Sequence, residues 1–442
     1  EIPEADVYFL DGLQGHCFDI LEKLPKEKSY LYTGDESIQE EAQKKGYNIV
    51  GKPLWNFEAI IQEALSKGAL FSIVDEKKYV TNNKIILVGD VLNTLQKLAN
   101  YHRRKLNTPI ISLTGSNGKT TTKELINTVL SSLYKTTATK GNLNNHIGVP
   151  LTLLSIEKDT EIAIVEMGAN HKREIAHLCE IAQPDFGYIT NFGKAHLEGF
   201  GGVEGVIQGK SELYDHLTAH NKYIFLNADD PIQLEKLGSH IKKFGFSADN
   251  PQYFNIQFKN ADPFVALEFE DVKVDTQLVG KYNFPNACAA ITMGKYFNVP
   301  STDIKEALEA YQPKNNRSQV LEQNGYQIIL DAYNANPTSM KAALENFRNM
   351  AAETKTLVLG DMFELGPDAK KEHQGIADLA KEMGFEDVYL VGENFWEVQS
   401  SFQKFKSFDD LKSFVGNNPP KKGTILIKGS RGMALERVLD LL

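Results

Sequence analysis

The chain has 442 residues, with 48 Lys plus Arg against 58 Asp plus Glu, which gives a formal net charge of −10. This length exceeds what one hydrophobic core usually serves, so we expect two or three domains. The acidic balance argues against nucleic acid or an anionic membrane surface as the main partner. No apolar run approaches the roughly eighteen residues of a membrane-spanning helix.

Cysteine usage and the first residues indicate a cellular compartment. Cys17, Cys179 and Cys288 are too few and too scattered for a disulfide framework or a zinc cluster. We therefore expect three partly buried thiols in a reducing environment. The acidic start Glu-Ile-Pro-Glu has neither the basic start nor the apolar core of a signal peptide. The sequence predicts a cytoplasmic protein.

Residues 1–85 are predicted to form a small mixed α/β domain. A helix is expected over Phe57–Ser66, and Ile73 and Val74 are expected in a strand. The next segment carries a helix that ends in His-Arg-Arg-Lys at residues 102–105. We interpret this basic cluster as a solvated helix end rather than a binding surface.

The segment after residue 109 predicts a phosphate-binding loop. An apolar run at Ile110–Thr114 predicts a buried strand, and a helix follows after Gly118. Glycines allow backbone N–H groups to close on phosphate oxygens, and the helix N-terminus adds positive potential. Lys119 would reach the terminal phosphates and Thr120 would offer a hydroxyl to magnesium. The predicted loop comprises Gly115, Ser116, Asn117, Gly118, Lys119, Thr120 and Thr121.

The spacing of this loop departs from its common form, because Leu113 stands where the eight-residue pattern has glycine. An ordinary strand-to-helix turn is the alternative interpretation.

From residue 109 to about 295, predicted strands and helices alternate, which indicates a largely parallel, doubly wound sheet. Polar residues follow the ends of three further predicted strands: Glu166; Asn191; and Asn227 with Asp229 and Asp230. Ligands of open parallel sheets gather at the carboxyl ends of the strands. We therefore expect these side chains to share one edge with the phosphate-binding loop.

Residues 312–442 repeat the alternation and predict a third, Rossmann-like domain. Its strands end at Asp331, Asp361, Glu393 and the Gly-Ser-Arg of residues 429–431. Asn336 and Pro337 have the residue types of a helix N-cap and first helical position. The predicted fold is α/β with three domains: a mixed domain at 1–85, a P-loop domain at 86–311 and a Rossmann-like domain at 312–442.

Three further residues are candidates for metal chemistry. Glu166 at a strand end is placed to hold Mg²⁺, which prefers oxygen ligands. His196 follows the next strand and could ligate a second metal, although a lone histidine is more often structural. Lys210 is expected at the start of a helix, where spacing alone favours a solvated lysine.

Seven segments of the chain together resemble the Mur ligases. They are Gly-Ser-Asn-Gly-Lys-Thr-Thr at 115–121, Gly-Asn-Leu-Asn-Asn at 141–145, Glu-Met-Gly-Ala-Asn at 166–170, Ala-His-Leu-Glu-Gly-Phe at 195–200, Asn-Phe-Pro-Asn at 283–286, Asp-Ala-Tyr-Asn-Ala-Asn-Pro at 331–337 and Gly-Asp-Met-Phe-Glu-Leu-Gly at 360–366. The resemblance runs from about residue 86 to the end. Three of these segments look most like the family member that adds D-alanyl-D-alanine to UDP-N-acetylmuramoyl-tripeptide.

The resemblance implies an ATP-dependent, magnesium-dependent amide ligase of peptidoglycan precursor synthesis, expected to act as a monomer. The substrate carboxylate would attack the γ-phosphate to give an acyl phosphate, which the amine of the dipeptide would then attack. Two anions must approach each other, so cations are required to neutralise them. Two magnesium sites are implied.

The resemblance also implies residue roles. Lys119 would bind phosphate, Thr120 and Glu166 the first magnesium, and His196 a second. The family lysine that matches Lys210 is carbamylated, which turns a cation into a carboxylate-like metal partner. Other implied roles are adenine contacts for Asn283 and Asn286, phosphate contact for Arg317, and ribose contact for Asp331. Substrate contacts are implied for Asn142, Asn144, Asn145, Tyr333, Asn334, Asn336, Lys428, Ser430 and Arg431.

Two departures keep alternatives open. Tyr282 stands where many relatives have histidine, and residues 32–37 carry no arginine like that of the family's uridine-binding motif. We assign no uridine-binding residues. A ligase of the same superfamily with another acidic donor is one alternative, and a nucleotide-dependent scaffold without catalysis is another. The joint presence of Lys119, Glu166 and His196 with Lys210 and Arg317 counts against the scaffold.

Overall fold

The computed structural model describes the backbone of three short strands in the first 49 residues, then residues 57–314 and 316–442. The chain divides into two compact units, Glu1–Thr94 and Leu95–Leu442. Within the described residues, the first unit contains a parallel three-stranded sheet, a parallel strand pair and the helix Phe57–Ser66. Its strands are β1 Asp6–Phe9, β2 Ser29–Tyr32, β3 Asn48–Ile49, β4 Ser72–Val74 and β5 Ile85–Leu87. The predictions of the helix and of β4 are confirmed.

The second unit begins with a seven-stranded parallel sheet in the order β12-β11-β10-β9-β6-β8-β7. Its strands are β6 Ile110–Thr114, β7 Thr136–Ala138, β8 Ile162–Glu166, β9 Phe186–Ile189, β10 Tyr223–Asn227, β11 Lys243–Ser247 and β12 Phe254–Asn255. The helices along this part of the chain are Val91–Leu106, Lys119–Leu130, Gly148–Leu154, Glu174–Ala182, Leu197–Phe200, Val203–Ala219, Pro231–Leu237, Phe284–Tyr296 and Ser301–Ala310.

Alternation along β6 explains why both faces of this sheet are covered. Ile110 belongs to the core cluster that includes the helix Val203–Ala219, whereas Ile111 and Leu113 belong to the cluster that includes the helix Lys119–Leu130. Successive side chains of a strand point to opposite faces. The doubly wound arrangement is therefore as predicted.

A small antiparallel sheet was missed by the sequence analysis. Its strands are β13 Gln257–Ala261, β14 Phe264–Phe269 and β15 Val272–Val279. Val265, Leu267 and Val274 bury their side chains in the same cluster as the P-loop helix. Apolar and polar residues alternate at the start of β15, from Val272 to Asp275, and this pattern is the signal that could have identified that strand.

The last sheet has six strands in the order β16-β17-β21-β18-β19-β20 and is parallel except for the β16–β17 pair. Its strands are β16 Gln319–Gln323, β17 Tyr326–Asp331, β18 Lys355–Gly360, β19 Asp387–Val391, β20 Gln403–Phe405 and β21 Thr424–Lys428. Its helices are Pro337–Asn349, Ala369–Glu382, Glu393–Trp396 and Phe408–Asn417. Asn336 caps the first of these helices by accepting a 2.9 Å hydrogen bond from Ser339 N, as predicted.

The basic helix end at residues 102–105 is not wholly solvated, which corrects the sequence interpretation. Arg103 is buried, and its guanidinium donates to the carbonyls of Ala182, Thr108 and Gln183 and to the Asp185 carboxylate. Arg103 therefore holds its helix against the segment that precedes β9 of the seven-stranded sheet. A run of basic residues in the sequence does not reveal this role.

Cys179 and Cys288 are fully buried rather than partly buried, and burial raises the pKa of both thiols. A thiol held in its protonated form is a poor nucleophile. Cys17 lies outside the described residues. Among the helices that the structure describes, none is both long and apolar enough to cross a bilayer.

Candidate active site

The loop between β6 and the helix Lys119–Leu130 requires glycine at two positions. Gly115 and Gly118 have φ angles of 143° and 79°, which disfavour residues with a side chain. A Cβ atom would also lie 2.0 Å from Thr190 Oγ1 at Gly115 and 2.7 Å from Asn286 Oδ1 at Gly118. The loop is thus both left-handed and closely packed, as a phosphate cradle must be.

Hydrogen bonds fasten this loop to the segment that follows β9. Ser116 Oγ donates to Gly193 O at 2.8 Å, and Asn117 N donates to Asn191 Oδ1 at 3.1 Å. Thr190 Oγ1 donates to Asn117 O at 2.6 Å. The loop is therefore held in one conformation by its neighbouring strand.

Lys119 Nζ donates to Gly115 O at 2.7 Å and to Ser116 O at 3.3 Å. Burial lowers the pKa of Lys119; Glu166 acts in the opposite direction, and Arg317 lowers it further. The ammonium is therefore a poorly solvated cation held by two carbonyls over its own loop.

Glu166, the last residue of β8, is buried beside the P-loop helix. Its Oε1 atom accepts from Thr120 Oγ1 at 3.2 Å and from Asn144 Nδ2 at 2.8 Å. Its Oε2 atom is buried and has no hydrogen-bond partner among the residues that the structure describes. A buried carboxylate oxygen without a partner is costly unless a ligand binds it. The predicted pairing of Glu166 with Thr120 is present.

Lys210 differs from its predicted setting. It lies inside the helix Val203–Ala219, not at its start, and its side chain is fully buried rather than solvated. Its Nζ donates to Ala169 O at 2.9 Å and lies 4.9 Å from the centre of the Phe200 ring. Burial, with a smaller contribution from Lys119, holds the pKa of Lys210 well below its ordinary value.

His196 has a left-handed backbone, with φ of 52°, and its Nδ1 atom contacts the carboxylate of Glu364. The described residues include no group of three or more His, Cys, Asp or Glu that could hold a metal on its own. Thr120, Glu166 and His196 nevertheless line one cleft.

The opposite wall comes from the six-stranded sheet and the segment before it. The Arg317 guanidinium lies 3.5 Å from the centre of the Tyr333 ring, within cation–π distance. Asp331 Oδ2 accepts from Lys428 Nζ at 2.5 Å, and Asp331 Oδ1 accepts from Ser318 N at 3.1 Å. Asp331 is therefore fixed by one cation and one backbone amide.

Asn283 and Asn286, at the start of the helix Phe284–Tyr296, are buried against the P-loop helix. Asn286 Nδ2 donates to Asn283 Oδ1 at 2.9 Å, and Asn286 Oδ1 accepts from Thr122 Oγ1 at 3.0 Å. Tyr282 shares a 2.8 Å hydrogen bond with Ser318 Oγ, so the residue that departs from the family pattern joins the two walls.

These side chains enclose a cleft of about 600 Å³ between the two sheets. The sequence-predicted residues that line it are Ser116, Asn117, Gly118, Lys119, Thr120, Thr121, Asn142, Asn144, Asn145, Glu166, His196, Asn283, Asn286, Arg317, Asp331, Tyr333, Asn334, Asn336 and Lys428. Gly115, Lys210, Ser430 and Arg431 lie outside the lining.

Each of these four has another environment. Gly115 supports the loop from behind, and Lys210 reaches the cleft only through the carbonyl of Ala169. Ser430 is buried and its Oγ accepts from Phe363 N at 2.9 Å. Arg431 instead forms a 2.8 Å ion pair with Glu436.

The predicted convergence of strand ends holds for β6, β8 and β9 but not for β10. Asp230 caps the helix Pro231–Leu237, and Asp229 accepts from Ala248 N at 2.9 Å. In the other sheet, Asp361 accepts from Asn394 N and Phe395 N, both at 2.9 Å. These carboxylates are structural because they satisfy backbone N–H groups: those of helix starts for Asp230 and Asp361, and that of the residue after β11 for Asp229.

Several residues at the cleft were missed by the sequence analysis. Ser318 and Thr338 line it, and Lys194 N donates to Thr338 Oγ1 at 2.9 Å. Glu364 contacts His196 from the far sheet. Thr338, Lys194 and Glu364 stand beside or inside the motifs quoted above, and Ser318 follows Arg317 in the sequence. This proximity is the signal that could have identified them.

Comparison with known proteins agrees with this geometry. Residues 113–294 match the Mur ligase middle domain, and residues 316–431 match the Mur ligase, glutamate ligase domain. The UDP-N-acetylmuramoyl-tripeptide–D-alanyl-D-alanine ligase of Bacillus subtilis is 35% identical over 370 residues, which cover 81% of each chain.

Two solved structures are also similar. MurF from Acinetobacter baumannii has 30% identity and a TM-score of 0.75, with 87% of each chain covered. MurF from Thermotoga maritima in complex with ADP has 27% identity and a TM-score of 0.76, with 87% of this chain and 90% of that chain covered. On these similarities, and with the expected motifs brought together at one cleft, this chain belongs to the Mur ligase family.

Proposed function

We propose that this chain is the ligase that joins D-alanyl-D-alanine to UDP-N-acetylmuramoyl-tripeptide, through an acyl phosphate, with ATP and Mg²⁺. The observation that carries the proposal is the make-up of the cleft. One wall offers a phosphate loop with Lys119 and Glu166, and the other offers Arg317 and Lys428. Such a cleft suits a reaction in which a nucleotide and a carboxylate, both anionic, must approach each other.

The residues present fit ATP. The left-handed, side-chain-free Gly118 precedes the N-terminus of the helix Lys119–Leu130, where backbone N–H groups favour phosphate oxygens. We assign the phosphates to this loop, to Lys119 and to Arg317. Asn283 and Asn286 stand beside the same loop and are assigned to the adenine, with Asp331 at the ribose.

The residues present also fit Mg²⁺. The Thr120 hydroxyl and the Glu166 carboxylate lie within hydrogen-bond distance of each other. Glu166 Oε2 has no hydrogen-bond partner among the described residues. Magnesium is commonly held by one or two protein oxygens together with phosphates and water, so these two side chains suffice for a first site. When bound, the ion would neutralise phosphate charge as the acyl phosphate forms.

We assign His196 and a carbamylated Lys210 to a second magnesium site. The buried amine of Lys210 favours its neutral form, which is the form that reacts with CO₂. A carbamate would replace this buried amine with an anion that attracts Lys119 and metal ions. Lys210 would act from behind Ala169, whose carbonyl it now contacts.

The reaction has two chemical steps, and residues from both walls of the cleft take part. The tripeptide carboxylate oxygen forms a bond to the γ-phosphorus while the bond to the β–γ bridging oxygen breaks, leaving ADP. Lys119 and Arg317 would stabilise the charge on the transferring phosphoryl group. The dipeptide amine then attacks the acyl carbon, and phosphate leaves from the tetrahedral intermediate. A closed cleft excludes water that would hydrolyse the acyl phosphate.

Substrate contacts are assigned by side of the cleft. Asn142, Asn144 and Asn145 lie at the loop after β7 and are assigned to the tripeptide end. Tyr333, Asn334, Asn336 and Lys428 lie on the far wall and are assigned to the dipeptide. Ser430 and Arg431, which stand outside the lining, would support that wall rather than contact substrate directly.

The name of the Bacillus subtilis relative supports UDP-N-acetylmuramoyl-tripeptide as the donor substrate. The similarity of this chain to that relative favours this donor over another acidic one. Recognition of the nucleotide by the first unit stays a prediction, since residues 33–47 lie outside the described residues. We expect the reaction in the cytoplasm, where ATP is supplied, and a monomeric enzyme.

The test is phosphate release from ATP and Mg²⁺, with UDP-N-acetylmuramoyl-tripeptide and D-alanyl-D-alanine added singly and together. Release that requires both, with a pentapeptide mass in the product, would support the proposal. Release with the dipeptide and a different acidic donor, but not with the tripeptide, would overturn the donor assignment. A chain that binds ATP and releases no phosphate with any acidic donor would overturn the ligase proposal.

A further inference from the structure

Glu364 lies on the loop that follows β18, and its neighbours hold that loop rigidly. Asp361 accepts from Phe395 N at 2.9 Å, Met362 N donates to His373 Nε2 at 2.9 Å, and Phe363 N donates to Ser430 Oγ at 2.9 Å. Three successive residues are therefore fixed before the chain reaches Glu364.

The backbone at Glu364 is left-handed, with φ of 61°, and its partner His196 is left-handed too. Residues with side chains adopt this conformation rarely, and it persists where the surrounding contacts determine it. Here two such residues, one from each wall of the cleft, bring the Glu364 carboxylate against His196 Nδ1.

The backbones of the two segments are also in contact, in addition to the side chains of Glu364 and His196. Glu198 N donates to Glu364 O at 3.3 Å. Gly366 has φ of 56°, and a Cβ atom there would lie 3.1 Å from Glu198 Cβ. The loop after β18 is thus shaped to reach residues 196–198 closely, with glycine where the two backbones pack.

A carboxylate at one imidazole nitrogen determines what the other nitrogen can do. Nδ1 of His196 is buried and forms an ion-pair contact with Glu364, but no hydrogen bond of regular geometry among the described residues. A carboxylate in this place favours the tautomer with the proton on Nδ1, which leaves the lone pair of Nε2 for a cation. Carboxylate partners of this kind orient histidine ligands and commonly change metal affinity or activity about 10–100-fold. His196 lines the cleft, whereas Glu364 does not.

We propose that Glu364 is a positioning residue for the ligation reaction: it fixes the tautomer and orientation of His196 and does so only when the two walls of the cleft are together. The inference rests on the proposed function, because His196 is there assigned to a magnesium site. This arrangement makes cation binding depend on cleft closure. His196 is oriented toward the metal only when the Glu364 carboxylate contacts it from the opposite wall.

The test compares Glu364→Ala and Glu364→Gln with a matched control, Glu393→Ala. Glu393 is a glutamate of the same sheet whose side chain is 81% exposed, while that of Glu364 is 53% exposed. Neither substitution empties a buried site, so all three variants are expected to fold. Three quantities are measured: kcat with KM for each substrate, Mn²⁺ affinity by electron paramagnetic resonance with a non-hydrolysable ATP analogue, and the ¹⁵N chemical shifts of His196.

We expect Glu364→Ala to lower kcat and Mn²⁺ affinity at least tenfold, with little change in the KM for D-alanyl-D-alanine. The proton of neutral His196 should move from Nδ1 to Nε2 in this variant. Glu364→Gln retains an acceptor oxygen and should keep the Nδ1 proton and most of kcat. Glu393→Ala should match the wild type in every measurement.

An unchanged tautomer in Glu364→Ala would overturn the proposal, and so would unchanged Mn²⁺ affinity. A lower kcat without a change at His196 would also overturn it, because Glu364 would then act elsewhere. The nuclear magnetic resonance and Mn²⁺ measurements need neither the tripeptide nor the dipeptide. A failed donor assignment can therefore be distinguished from a failed positioning role.

Discussion

Lys194 Nζ lies 2.6 Å from Glu372 Oε1, an ion pair that joins the loop after β9 to the helix Ala369–Glu382, in the half of the molecule that supplies the other wall of the cleft. The Lys194 backbone N–H donates to Thr338 Oγ1 on the same wall, and Asn336 Nδ2 donates to Asn117 Oδ1 at 2.6 Å. The P-loop half is therefore bonded to the far half at the edge of the site.

Removal of this ion pair should weaken closure without removing a group that contacts substrate. Partly exposed pairs are worth about 0.2–1 kcal/mol, so Lys194→Ala should reduce kcat/KM by no more than about fivefold. The loss should shrink at high ionic strength, because salt screens the wild-type pair. Steady-state kinetics across a salt series would measure both effects.

The matched control is Lys341→Ala, which removes a pair with Glu345 at 3.8 Å within one helix. It should leave kcat/KM unchanged. Equal losses in Lys194→Ala and Lys341→Ala would argue against a role of the cross-cleft pair, as would a double variant Lys194→Ala/Glu372→Ala whose losses simply add.

Lys119→Ala should abolish measurable turnover. A preorganised cation at a transferring phosphoryl group is worth about 100-fold or more in kcat, and Lys119 is held by two carbonyls of its own loop. Phosphate release is the measurement, with the exposed Lys140→Ala as the control. Turnover within tenfold of the wild type would contradict the assignment of Lys119 to the phosphate site.

Lys210→Ala should lose nearly all activity and recover part of it with short carboxylates such as formate or acetate. The reason is that the variant leaves a cavity behind Ala169 in which a small acid can replace the carbamate. Activity is measured with and without added carboxylate. Wild-type-like activity in the variant would contradict the carbamate proposal.

Lys210 should also make stability depend on pH when CO₂ is removed. Its pKa is lowered in the folded state, so the unfolded chain binds more protons between that lowered pKa and the ordinary lysine pKa of 10.5. The free energy of unfolding should therefore rise with pH in this window, by at most about 1.4 kcal/mol per pH unit.

Denaturant unfolding between about pH 7 and pH 9 would measure that slope. Lys210→Met should flatten it, because the titrating amine is gone, while the exposed Lys158→Met should keep it. Identical slopes in the wild type and Lys210→Met would show that the folded protein does not lower this pKa.

Arg103→Ala should destabilise the fold by about 3 kcal/mol, because a buried guanidinium leaves four acceptors without their donor. The neighbouring Arg104 is exposed, so Arg104→Ala should change stability by less than about 0.5 kcal/mol. Thermal and urea unfolding would compare the two. Equal losses of stability in Arg103→Ala and Arg104→Ala would show that Arg103 is no more important to the fold than a solvated residue.

Local pattern was enough to predict much of this molecule. The apolar run Ile110–Thr114 became β6 at the predicted residues, and Asn336 with Pro337 began a helix as predicted. Such features depend on neighbours in sequence: alternation, glycine conformation and capping chemistry. The seven motifs, read together, also identified the family.

Residue type alone did not determine the environments of Arg103 and Lys210. Spacing alone favoured a solvated cation at both positions, and both side chains are buried because strands and helices distant in sequence close over them. A charged side chain is buried only where distant partners satisfy it, and the identity of those partners follows from tertiary packing. Asp229 was misjudged for the same reason, since it satisfies the backbone N–H group of Ala248 in a neighbouring segment.

The sequence by itself determined the strands that precede the motifs, the phosphate loop and the kind of chemistry, because these follow from short-range geometry and residue type. Only the tertiary structure decided which polar residues face the cleft and which wall each comes from. The contact between His196 and Glu364, 168 positions apart by their numbers (364 − 196), is the clearest case. No local pattern encodes it, because it exists only where the two sheets meet.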